Sequence, residues 1–303
     1  MKKFIFLLFS GLILVSGAAF AQGMTAAANV AEQANKAVAA ADSLQGWRFL
    51  GSVAVNFSQV SLTNWTAGGE NSVAGNALVA AAANYRKDKW RWNNNLALEF
   101  GMTYSDETDW RKNMDRILLS SLLSREITGK WFYAALFDFQ TQFARGYDYA
   151  ADPDNRISNF MAPAYSNLAL GISYRPNDNF SFFFSPITLR TTFVLDDVLA
   201  KAGAYGMKNG DNVLFEPGMY FVAMGRQKVM ENVVLASRLD MFTPYSSHFG
   251  NIDINWDFSV NCQINKFLTA TLNTTLRYFE REITKVQFRE MFGLGLTYNF
   301  ASK

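Results

Sequence analysis

The sequence predicts an all-β fold: a transmembrane, antiparallel, up-and-down β-barrel of outer-membrane type with about twelve strands. Three observations carry that expectation. Apolar and polar residues alternate with a period of two over runs of a dozen residues. Half of the residues are apolar and 15% aromatic, yet beyond the N-terminus no run reaches the roughly 20 apolar residues of a helical span. The connections are short and long by turns, the asymmetry expected of periplasmic turns and outer loops.

The alternation is cleanest at 252–264, "IDINWDFSVNCQI", where every even position is apolar or Cys and every odd one polar. In "NLALEFGMTY", Leu96, Leu98, Phe100, Met102 and Tyr104 share one face against Glu99, Gly101 and Thr103. In "WFYAALFDFQTQF", Tyr133, Ala135, Phe137, Phe139 and Phe143 oppose Asp138, Gln140 and Gln142. A β-sandwich also alternates, but its strands average about six residues. Crossing a tilted bilayer path takes about 9–11.

The elements follow in order. Lys2 and Lys3, an apolar stretch over 4–15, then Ser16, Gly17 and Ala19-Phe20-Ala21 form a secretory signal peptide over 1–21, with cleavage expected after Ala21. Residues 22–46 are Ala-rich and helix-compatible; they read either as a periplasmic tail or as a plug helix entering the lumen. The barrel is expected over 47–303, with strands beginning near Trp47, Val73, Lys89, Asp115, Lys130, Pro163, Asn179, Leu214, Asn232, Asn251, Phe267 and Val286. Short turns are expected at "RKDK", "ITGK", "RPNDN", "RQKVMEN" and "INKF", and longer connections at 59–72, 105–114, 144–162, 194–213, 244–250 and 280–285. An even strand number returns the C-terminus to the side where the chain began. The last strand, "FGLGLTYNF", ends on an aromatic, as strands recognised for membrane insertion do, although Ala301-Ser302-Lys303 follow it.

Charge and cysteine content exclude several functions. Of 28 basic residues two lie in the leader, leaving 26 against 26 acidic ones, so no global field attracts nucleic acid. Cys262 is the single cysteine, so there is neither an intrachain disulfide nor a Cys-based metal site, and no cofactor is expected. The expected partners are outer-membrane lipid and, in one reading, other proteins of an outer-membrane complex.

Strand parity gives the candidate lumen-lining residues: Arg48, Arg91, Glu99, Asp138, Arg175, Arg238, Asp240, Asp253, Asp257, Arg277 and Arg289. Mixed signs on neighbouring strands have two readings. They line an aqueous pore for small polar solutes and set its selectivity, or they pair across the interior of a closed barrel that serves a structural or assembly role. Asp253 and Asp257 suit acid/base chemistry by type, but about 14 Å of strand rise separates them. His248 in "YSSHFG" has neighbouring serines and no third partner, so an enzyme such as a phospholipase is not expected. The acidic loops "SDETDW" and "ADPDNR" carry oxygen ligands suited to Ca²⁺ without EF-hand spacing. The stretch 194–214 reads as part-helical and too long for a simple turn. In "FSQVSLTNWTAGGENS", Gly68-Gly69 suits a chain reversal and Trp65 an anchor at the outer interface.

Three stretches, "NFSQVSLTNWTAGGENSVAGNAL", "TQFARGYDYAADPDNRISNFMAPAY" and "YRPNDNFSFFFSPIT", resemble the domain-of-unknown-function 3078 family of Bacteroidota. The likeness runs from about Trp47 to Phe300. The resemblance implies an outer-membrane β-barrel and carries over no catalytic or ligand residues.

Overall fold

The computed structural model describes residues 45–62, 71–149, 152–177, 179–208, 210–246, 249–265, 268–280 and 283–301. The signal peptide, all but the end of the Ala-rich segment, the Trp65–Gly69 part of the first loop and His248 lie outside the described residues.

Twelve long strands form one antiparallel sheet: β1 (Gly46–Val60), β2 (Ser72–Lys87), β3 (Trp90–Ser105), β4 (Arg111–Thr128), β5 (Trp131–Thr141), β8 (Ala164–Asn177), β9 (Phe180–Phe193), β10 (Val213–Met230), β11 (Val233–Pro244), β12 (Asp253–Gln263), β13 (Leu268–Phe279) and β14 (Ile283–Ala301). Each pairs with its neighbour in sequence, except that β5 pairs directly with β8. The short β6 (Gly146–Asp148) and β7 (Asp152–Ser158) make a separate two-stranded hairpin between them. The sheet closes on itself where β1 meets β14, from Leu50↔Ala301 to Val55↔Leu296.

Pairing overrides local preference in β2. Its run "ALVAAAANY" has the composition of a good helix former, yet every residue from Ser72 to Lys87 is in register with β3. Burial alternates along it: Asn76, Leu78, Ala80, Ala82 and Asn84 are buried and the residues between them are not. Tight turns occupy one end of the sheet. Asp88 between β2 and β3 adopts φ 52°, and Gly129 between β4 and β5 adopts φ 36°.

The connections at the other end are larger and folded. Residues 144–162, expected as one of the longer connections, contain the β6–β7 hairpin. The stretch 194–213 carries a short helix α1 (Asp197–Lys201) and a 3-10 turn, Ala204–Gly206. Val194, Leu199, Ala200 and Met207 bury themselves there with Ala162, a small apolar core separate from the sheet. Three boundaries differ from expectation. β4 begins at Arg111 rather than Asp115, β14 at Ile283 rather than Val286, and "RQKVMEN" is mostly strand, since β10 runs to Met230. Polar turn-like composition there belongs to the end of a strand in solvent, which strand pairing tolerates.

Register irregularities bend β8, β9 and β10. Pairing shifts between Leu170 and Ile172 and between Gly218 and Tyr220, opposite the Ser185-Pro186 step of β9. A Cβ at Gly171 would run into the Phe184 carbonyl, so the bulge needs glycine at that point.

Candidate functional site

The two faces of the sheet have opposite character. Large apolar residues stand exposed on the outer face: Phe57 at 70%, Ile187 at 67%, Phe288 at 65%, Val55 at 62% and Tyr133 at 61%. Near the tight turns, aromatic rings meet across that face. Trp47 contacts Tyr85 at 5.2 Å and Trp92 at 5.5 Å between centroids. Trp131 contacts Tyr174 at 4.5 Å, and Tyr174 is 6.4 Å from Phe182. A second aromatic group lies toward the long loops, with Tyr104 beside Trp110 and Phe100 beside Phe143.

The inner face holds the buried polar residues Asn76, Asn84, Glu99, Ser124, Ser173, Asn261 and Asn273. One sector is apolar: Ala134, Leu136, Ala169, Phe183, Tyr220, Val222 and Phe242 pack together from β5, β8, β9, β10 and β11.

Charged residues line this face at three levels. At mid-height Arg116 grips Glu99 through two hydrogen bonds, Nε at 3.0 Å and Nη2 at 2.7 Å. Asp257 stands on β12, six places from β4 in the ring of twelve. Asp257 in turn accepts from Thr275 Oγ1 at 2.7 Å and Asn255 Nδ2 at 2.8 Å. Arg238 donates from Nε and Nη2 to Asp240, both at 2.8 Å, and Tyr220 Oη donates to Asp240 at 2.6 Å. Arg238 also lies 3.7 Å from Asp138. That pair joins β11 to β5, four places apart, so it spans a chord of the interior.

Nearer the long loops, Arg190 donates to Asp253 at 2.5 Å, three strands away, and sits over the Phe242 ring at 3.7 Å. Arg277 stacks on Phe279 at 4.0 Å. Toward the tight turns, the guanidinium carbons of Arg91 and Arg175 lie 4.9 and 5.1 Å from the centroid of Phe132. Arg48 is half-buried on β1, and Arg289 lies on β14.

Strand parity therefore missed Arg86, Arg116, Arg190 and Tyr220. Arg190 shows why. Phe180, Phe182 and Phe184 point outward, and continued alternation would send Arg190 the same way. The Ser185-Pro186 step shifts the count by one, so Ile187 and Leu189 take the outer face. The signal available in the sequence was that Pro, which is confined to edges and bulges within sheets.

Asp253 and Asp257 are held by separate partners, Arg190 for the first and Thr275 and Asn255 for the second. In the acidic loops, Asp106 accepts from Asn71 Nδ2, Asp109 from the Trp110 N–H and Asp152 from the Asp154 N–H. Among the described residues no three His, Cys, Asp or Glu side chains group as metal ligands.

The loop end has its own polar clasp. Asp196 caps α1 by accepting from the Val198 and Leu199 N–H groups, and it also accepts from Arg156 Nη2 and Asn159 Nδ2, both at 2.9 Å. Burial opposes its charge. The donors from Asn159, Leu199 and Val198, with the Arg156 cation, outweigh that and hold its carboxyl below the ordinary carboxylate range.

Among curated proteins no sequence relative is found. Among solved structures, the chain is similar to the translocator domain of autotransporter NalP from Neisseria meningitidis, with 10% identity, 93% of this chain and 99% of the other covered, and a TM-score of 0.38. It is similar to the COG4313 outer membrane channel from Pseudomonas putida F1, with 10% identity, 86% and 96% coverage, and a TM-score of 0.41. A third similarity is to the NanC porin, with 5% identity, 82% and 98% coverage, and a TM-score of 0.39. The family match is narrower than the resemblance that runs from Trp47 to Phe300. It takes in nearly all of the first quoted stretch and the start of the second, and "YRPNDNFSFFFSPIT" falls outside it. Residues 57–147, from the end of β1 into β6, match the family described as protein of unknown function, DUF3078.

Proposed function

We propose that the chain is an outer-membrane β-barrel whose narrow, charge-lined lumen passes small polar solutes. The observation that carries this reading is the inversion of polarity, apolar outside and polar inside, with an aromatic group at each end of the outer face. On β3, Trp92 and Tyr104 are separated by about 40 Å of strand. At a tilt near 40°, usual for such barrels, that is about 30 Å along the axis, close to the thickness of a bilayer core. The tight turns and both chain ends then face the periplasm after removal of the leader near Ala21, and the larger loops face outward. Arg238–Asp138 and Arg190–Asp253 reach across part of the lumen and narrow it there.

Those same crossings favour a second reading, a non-conducting barrel that serves a structural or assembly role. Conductance of the refolded mature protein in a planar bilayer separates the two. The pore predicts small, stable ohmic steps, with Asp257→Asn shifting ion selectivity toward anions. Silence from protein shown to be folded by heat-modifiable gel mobility overturns the pore and leaves the structural role.

A further inference from the structure

We propose that the outer face of β14 around Glu290 is a docking edge for a second outer-membrane protein, one that lays an extended segment along β14 and presents an Arg or Lys side chain to the Glu290 carboxylate. The docking edge rests on the outer-membrane placement of the barrel and is independent of whether the lumen conducts.

Glu290 places a carboxylate on the apolar face of the sheet. It pairs in register with Thr274, and Thr274 with Phe258. Two residues along the strands, Phe288, Leu276 and Trp256 stand side by side in the same way. Phe288 and Trp256 are among the large apolar residues exposed on the outer face, as is Val286 at the next position of that face. Glu290 is exposed with them. It stands seven residues from Ile283 and eleven from Ala301, in the middle third of the strand. At a tilt near 40° that is about 18 Å below the loop end of β14. Among the described residues no hydrogen bond or ion pair reaches its carboxylate. A charge facing hydrocarbon is costly, and ionisable groups kept there mark places where a partner meets them.

The backbone is open at the same place. β1 pairs with β2 over fifteen residues, Gly46–Val60, but with β14 over only six, from Leu50↔Ala301 to Val55↔Leu296. Among the described residues nothing pairs with 283–295 of β14 on its β1 side, whereas β13 lies along its other side up to Phe279↔Ile283. Continued in the same register, β1 would end with Val60 opposite Met291, so Glu290 lies just past the last residue that β1 can cover. Open N–H and C=O groups are costly in hydrocarbon, and an added strand satisfies them. A lipid amine brings a cation without a backbone, so the open edge favours a polypeptide. A second copy turned about a two-fold axis through this face would oppose two Glu290 carboxylates, so the complementary charge belongs to a different chain.

The test uses mature protein refolded in phosphatidylcholine vesicles and a fluorescent peptide of about ten residues, the length of a membrane-crossing strand. The peptide alternates Leu and Thr around one central Arg, and its twin carries Gln in place of the Arg. The Arg peptide is expected to bind at least about tenfold more tightly than its twin, the effect of one charge-assisted contact. That difference is expected to vanish in Glu290→Gln. Urea unfolding gives a second reading: without a partner present, Glu290→Leu is expected to raise the unfolding midpoint, because it removes an unmatched charge. A lowered midpoint means that the chain itself holds Glu290, and it overturns the docking edge. Equal binding of the two peptides, or a difference that persists in Glu290→Gln, overturns it as well. If phosphatidylethanolamine added to the vesicles abolishes the advantage of the Arg peptide, a lipid amine occupies the carboxylate and the protein partner is overturned. Folded protein that binds neither peptide overturns the docking edge alone, whereas protein that never inserts, shown by heat-modifiable gel mobility, overturns the membrane placement and the edge with it.

Discussion

Three consecutive phenylalanines in β9 do two different jobs. Phe183 is buried at 4% exposure among Leu136, Tyr220, Val222 and Phe242 inside the ring, while Phe184, its neighbour, is 48% exposed on the outer face. Composition is identical at the two positions, and only the pleat of the strand decides what each ring meets. The inner ring is stabilised by close packing with fixed neighbours, so its deletion leaves a cavity. The outer ring faces whatever surrounds the barrel, and it stabilises the fold only if that medium is apolar.

The difference makes Phe183→Ala the most damaging of the changes considered. It is expected to cost about 3 kcal/mol or more, within the usual range for removing a packed ring. Phe184→Ala, with nothing rigid around it, is expected to cost clearly less. Urea unfolding of the two variants refolded in lipid vesicles compares them directly. Equal losses at both positions mean that the inner cluster is no better packed than the outer face.

Much of this contrast was legible in the sequence, and its limits are physical. Period-two alternation over 252–264 separates Trp256 on the outer face from Asp257 on the inner one, because β12 has no bulge to disturb the count. The same counting fails past Ser185-Pro186, where an extra residue turns Arg190 inward. Closure of the sheet depends on pairs such as Leu50↔Ala301, which lie far apart in sequence and leave no local trace. The ion pairs across the lumen are of the same kind, since Arg238 and Asp138 meet only once the ring has curved. The turn-end aromatic group was within reach: Trp92, Trp131 and Tyr174 each stand within a few residues of a tight turn and Trp47 opens the first strand, yet only Trp65 was read as an interface anchor. Alternation finds the face of a residue, whereas its height in the barrel needs the register of all its neighbours.

A charge on the outer face tests what surrounds it. Ile187 is exposed near the middle of β9, so Ile187→Arg is expected to cost about 2–4 kcal/mol in a bilayer, as charges on the lipid face near the midplane do. On a water-facing sheet the same change would stay within about 0.5 kcal/mol. Unfolding free energies measured in vesicles give the answer. A neutral result removes the lipid from the outer face and with it the membrane reading of the whole molecule.

The smallest expected effect lies beyond the barrel, at the loop end, where a different kind of packing holds. The core of Val194, Leu199, Ala200 and Met207 is small, and Asp196 supplies the polar clasp that fixes α1 over it. Asp196→Ala removes the N-cap and is expected to cost about 1 kcal/mol, felt locally as faster amide exchange at Val198 and Leu199 while the barrel strands keep their protection. The acid dependence follows from the same contacts. Because the folded loop holds this carboxyl below its ordinary range, its stabilisation is complete above the ordinary carboxylate pKa and is lost as pH falls through the lower, folded value. Exchange at those two amides, corrected for the intrinsic pH effect, should therefore quicken in acid in the wild-type chain and show no such step in Asp196→Asn. The same acid response in both proteins would mean that Arg156 and Asn159 hold the loop without needing the charge. The loop end would then resemble the inner face at Phe183, fixed by packing, rather than a capped helix held by its carboxylate.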